Sequence, residues 1–145
     1  NVYSIDMSYN NFYNFNSNQN TYVKLNYTPI INFNFKNLNA LELMGNNNIT
    51  YEDTKNFKNI KYLNLSQTDI INIHPIDNLI ELSVAECHNL KLIPLIKSLK
   101  ILNVSYCTNL IKILSNNLEL LNIDGCYKID NLKDIQSKHT IHYIK

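Results

Sequence analysis

The chain has no tryptophan, two glycines, three prolines and three cysteines in 145 residues, and its basic residues are all lysine. Each scarcity excludes something. Two glycines rule out the usual Gly-rich phosphate cradle, and no P-loop, G-x-G-x-x-G or G-x-S-x-G is present. So few glycines and prolines also leave no flexible linker, so residues 1–145 are expected to form a single domain. Three cysteines without a C-x-x-C pair do not make a disulfide scaffold. They suit reduced thiols in an intracellular protein, in the cytoplasm of a cell or of a host. Charge is sparse as well. The net value is +1 and no run of one sign occurs, so neither nucleic acid nor a membrane is an expected partner. No apolar run approaches the roughly 18 residues of a membrane span, and no signal-peptide pattern opens the chain. The chain begins at Asn1 without Met, and the expectation is that an N-terminal segment is missing.

What is plentiful is Asn, Ile, Lys and Tyr. Their codons are AT-rich, which points to an AT-rich genome such as that of a large DNA virus or a protist. Hydrophobic content is 45%, enough for a packed core.

The apolar residues recur with a long period. Apolar-x-apolar pairs stand at Ile5/Met7, Val23/Leu25, Leu41/Leu43, Leu63/Leu65, Leu82/Val84, Leu102/Val104, Leu121/Ile123 and Ile141/Tyr143. The steps between them are 18, 18, 22, 19, 20, 19 and 20 residues. Three residues after each of the first seven pairs comes a small polar or thiol residue: Asn10, Thr28, Asn46, Thr68, Cys87, Cys107 and Cys126. An apolar residue follows shortly, and another often precedes the pair by three. The alternation within a pair predicts a short strand with one buried face. A fixed period near twenty predicts that successive strands stack in parallel. The residue in frame after each strand is then expected to turn inward and bond the backbone of the turn. The three cysteines become rungs of an internal ladder, small buried groups with weak hydrogen-bonding ability.

The pattern L-x-x-L-x-L-x-x-(N/C/T)-x-(x)-L resembles the leucine-rich repeat family over nearly the whole chain, and CHNL and CTNL look like its cysteine-bearing variants. The resemblance implies an α/β repeat solenoid. It would be a right-handed arc with a parallel sheet of seven or eight short strands on the concave face. The return side carries apolar residues every third position, together with Pro75 and Pro94, which suits extended or 3₁₀ backbone. The longest repeat contains TYEDTKNFKNI, and Thr50 and Asp53 form an approximate capping box, predicting one short helix near 51–58.

In such an arc the outward strand residues line the concave face, and the resemblance implies a protein partner there. The candidate binding residues are Tyr22, Lys24, Glu42, Tyr62, Asn64, Glu81, Ser83, Ile101, Asn103, Leu120 and Asn122. Ile101 and Leu120 stand side by side as outward apolar residues, a mark of a contact patch. Tyr22 and Tyr62 are aromatic anchors in the same column. No enzyme chemistry is expected: His139-x-x-His142 lacks a further ligand at metal spacing, so neither metal nor cofactor is implied. The function expected is a protein–protein interaction module. The family also implies an alternative, the substrate-recognition arm of a larger assembly such as an F-box-type ubiquitin-ligase adaptor. A monomer is expected, with edge-to-edge association through the uncapped first repeat as a further route.

Overall fold

A computed structural model describes residues 3–11, 14–17, 21–30, 32–35, 38–135 and 137–140. The alternating pairs do form strands. They are β1 (Tyr3–Asp6), β3 (Thr21–Lys24), β5 (Ala40–Glu42), β6 (Tyr62–Asn64), β7 (Glu81–Ser83), β9 (Ile101–Asn103), β11 (Leu118–Asn122) and β12 (Ser137–Thr140). They lie in that order in one parallel sheet, each paired with the next in the chain's winding. On the return side, β2 (Asn14–Ser17) pairs with β4 (Asn32–Phe35), and β8 (Leu92–Ile93) pairs with β10 (Lys112–Ile113). The molecule is therefore a parallel β-solenoid with one turn per repeat.

Register follows the hydrophobic pattern. Ile5, Val23, Leu41, Leu63, Leu82, Leu102 and Leu121 are aligned across seven consecutive strands. A slip of one residue would turn every one of them outward, so burial pins the pairing. From Val23 to Cys126 the inward residues form one continuous core. The last strand departs from the expected frame. Thr140, rather than Ile141, stands opposite Leu121, and His139 stands opposite Leu120. The step into β12 is thus one residue shorter than the Ile141/Tyr143 pair implied; that pair and His142 lie outside the described residues.

The expected helix near 51–58 is a single 3₁₀ turn, Asp53–Asn56. A second lies at Leu132–Asp134, and no α-helix occurs among the described residues, so the class is β-solenoid rather than α/β. The capping box itself forms. The Asp53 carboxylate accepts from the Thr50 N–H at 2.8 Å and from its hydroxyl at 2.7 Å. What is missing is length, because a helix needs several turns to repay its nucleation. Here the chain leaves after one: the Thr54 hydroxyl donates to Tyr51 O and accepts from the His74 N–H of the next repeat. Ser115 does similar work further on, accepting from the Ile96 N–H at 3.0 Å and donating to Pro94 O at 2.7 Å. Asn131 closes the edge of β10, its amide bonding both the N–H and the C=O of Ile113.

Candidate functional site: the outward face of the sheet and the ladder beneath it

The inner ladder positions the face, because it fixes the turn that ends each strand. Cys87, Cys107 and Cys126 are free and buried, and their thiols donate to Leu65 O, Val84 O and Val104 O of the preceding repeat. Thr28 donates to Met7 O at 3.2 Å, and Asn46 Nδ2 to Leu25 O at 2.6 Å, in the same sense. Thr68 is buried too, but donates to Leu65 O of its own repeat. Asn10 departs from the ladder: it is exposed and bonds Met7 O and Ser8 O of its own turn. Its strand stands first in the sheet, with no preceding carbonyl among the described residues. Burial pushes the pKa of all three thiols up.

Immediately before each rung lies a residue in the left-handed region: Tyr9, Tyr27, Gly45, Gln67, Glu86, Tyr106 and Gly125, with φ between 52° and 71°. The chain's two glycines both fall in this column. They do more than relax the backbone. A Cβ at Gly45 would run into the Tyr27 ring, and one at Gly125 would meet the Tyr106 ring at 2.7 Å. Each glycine makes room for the tyrosine of the turn before it. Tyr27 then crosses Gly45 to donate to Gln67, and Gln67 donates in turn to Glu86. Sequence reasoning missed this column, although the confinement of both glycines to the residue before a rung was visible.

On the outward face the register aligns Ser4, Tyr22, Ala40, Tyr62, Glu81, Ile101 and Leu120 in one column. Asp6, Lys24, Glu42, Asn64, Ser83, Asn103 and Asn122 form the next. The columns are not uniform. Ala40 is the smallest residue of its column and stands between two tyrosines. A shallow depression of about 360 Å³ opens there, walled by Tyr22 and Tyr62 and bordered by Glu42, Asn64, Glu81 and Ser83. Ile101 and Leu120 are neighbours as expected, but both are half-buried and lie beyond the depression, as do Asn103 and Asn122.

Glu42 is the most engaged group. Tyr22 OH donates to its Oε1, Asn26 Nδ2 to its Oε2 at 3.0 Å, and Lys24 Nζ lies 3.5 Å from Oε1. Burial alone would raise its pKa; the hydrogen bonds of Tyr22 and Asn26 and the charge of Lys24 outweigh that and hold it below the ordinary glutamate value. Tyr22 is pushed up, by burial first and by the bond to Glu42 second. Lys24 is raised by its contact with Tyr22 and by Glu42.

Part of the second column serves the backbone. The side-chain oxygens of Asp6, Asn64, Asn103 and Asn122 each accept the N–H two residues on, from Ser8, Ser66, Ser105 and Asp124. These are Asx turns that end the strands. For Asn64, Asn103 and Asn122, one lone pair of the oxygen is thereby taken, and the amide nitrogen is the donor left for anything outside. Comparison of the chain with protein-family models, with characterised proteins and with solved structures finds no match.

Proposed function

We propose that the chain is a leucine-rich-repeat-class solenoid, bent into a right-handed arc, that holds a protein partner on the concave outward face of its sheet. The observation that carries this reading is the depression over Ala40. It is the place on that face where aromatic walls, a small floor and carboxylates converge. Tyr62 is 42% exposed, with a ring free to be covered. Aromatic anchors in a pocket ringed by polar groups are the usual centre of an interface. Ile101 and Leu120 extend the footprint along the same column. The role is one of binding without catalysis: the thiols face the core, where they cannot meet a substrate.

The test is affinity capture from cell extract on three immobilised proteins: wild type, the Tyr22→Ser/Tyr62→Ser double variant, and Lys112→Ala on the return side. Captured proteins are quantified by mass spectrometry, with melting curves to show that all three are folded. A protein held by wild type and by Lys112→Ala but lost from the double variant is the expected result. Identical capture by all three defeats the reading.

A further inference from the structure

Resting on that reading, we infer that the depression over Ala40 takes a basic side chain of the partner polypeptide, an arginine by preference. Among the described residues no cation lines the depression, while two tyrosines and two glutamates do. The two glutamates differ. Glu42 is committed, with Tyr22, Asn26 and Lys24 all on its carboxylate. Glu81 has no ion pair among the described residues. It stands directly opposite Tyr62 in the register, on a strand about 4.8 Å away.

The molecule already shows what such a pair does with a cation. Lys24 Nζ lies 5.1 Å from the centre of the Tyr22 ring and 3.5 Å from Glu42, a cation shared by a tyrosine and a glutamate of adjacent strands. Tyr62 and Glu81 also set a tyrosine beside a glutamate of the next strand, here directly opposite each other rather than on the diagonal as Tyr22 and Glu42 are, and the position equivalent to Lys24 on β6 is the neutral Asn64. The second pair therefore offers an aromatic face and a carboxylate to a cation that no ion pair among the described residues supplies. A volume of about 360 Å³ sits at the small end of ligand pockets and suits one long side chain. Ala40 would lie under its aliphatic stem. Arginine fits better than lysine, because a planar guanidinium can stack on the Tyr62 ring while pairing edge-on with Glu81.

The probes are three capped pentapeptides, Gly-Gly-X-Gly-Gly with X as Arg, Leu or Glu, titrated into the intact ¹⁵N-labelled chain and followed by amide chemical shifts. The Arg peptide is expected to move the amides of Ala40, Tyr62 and Glu81 in a saturable way, and the Glu peptide not to. Glu81→Gln should weaken the Arg peptide about three- to fivefold, and Tyr62→Leu by about as much. Neither side chain is buried, so both variants keep the fold, and their spectra check this. Equal binding of the Leu and Arg peptides, or an Arg peptide indifferent to both variants, overturns the inference and leaves the binding face standing. No shift with any peptide also overturns it, and the capture experiment then decides separately whether the face binds a partner at all.

Discussion

Between Thr28 and Thr68 the inner ladder is built from two hydroxyls and an amide; from Cys87 to Cys126 it is built from thiols. The task is the same in both halves, to supply one donor to a carbonyl of the preceding repeat. The thiols do it uniformly, with Sγ to O distances of 3.1, 3.0 and 2.9 Å. The polar half is uneven. Thr28 reaches its carbonyl at 3.2 Å, and Thr68 turns to its own repeat. Asn46 reaches at 2.6 Å, but its Oδ1 is buried without a partner. The site asks for a small side chain with one donor and reach enough to cross to the next turn. A second polar atom there is a burden, because a buried acceptor left unmade costs its desolvation. A thiol meets the request with little polarity to satisfy.

The comparison breaks most sharply with a charge. Cys107→Asp would place a carboxylate at a fully buried rung whose hydrogen-bond partner is a carbonyl, and is expected to destabilise by about 3–5 kcal/mol in urea unfolding. The loss should shrink as acid protonates the new side chain. Alkaline pH separates the halves without mutation. Burial raises the thiol pKa values in the folded chain, so the folded state keeps protons that the unfolded chain, with thiols near about 8.5, gives up. Stability is therefore whole below about pH 8.5 and falls above it, by at most about 1.4 kcal/mol per pH unit for each thiol until that thiol also ionises in the folded chain. A triple variant with Thr at positions 87, 107 and 126 should lose that slope between pH 8 and pH 9.5, where hydroxyl rungs do not titrate. An unchanged slope would mean that the thiols are not what the alkaline limb reports.

Smaller effects sharpen the contrast. Asn46→Thr removes the orphaned acceptor and is expected to stabilise by about 1 kcal/mol. A loss of stability instead would show that reach matters more than the unpaired oxygen. Smallest of all, Cys107→Thr should change the unfolding free energy by less than about 1 kcal/mol. The same preparations should show thiol labelling that is slow in the native protein and complete in denaturant.

Much of this was legible beforehand, and the residues say why. The inward set from Ile5 to Ile123 followed from alternation and period, since each repeat has to bury the same face. The three cysteines were recognisable as rungs because they share a frame with Asn46 and Thr68. Other features were hidden by competition between local and tertiary demands. Thr50 and Asp53 carry a true helix-start signal, yet the return path is too short for an α-helix. Asn64, Asn103 and Asn122 look like surface polar groups, but their oxygens bond the backbone two residues on. The last strand pairs one residue out of the frame that pattern predicts, since Ile141 is more apolar than Thr140 and pattern alone favours it.

By itself, the sequence determined that the chain winds into stacked turns, which residues face in, and where each turn needs a small donor. These follow from hydrophobic periodicity, which is a one-dimensional property. Only the tertiary structure decided what the outward residues make together. Tyr22, Ala40, Tyr62 and Glu81 belong to four successive repeats and share no local pattern. Parallel register brings them into one column, and the small side chain of Ala40 between two tyrosines opens the depression. Which carboxylate is paired within the chain was decided there too, because Lys24 stands opposite Glu42 on the next strand, while the residue opposite Glu81 on β6 is the uncharged Tyr62.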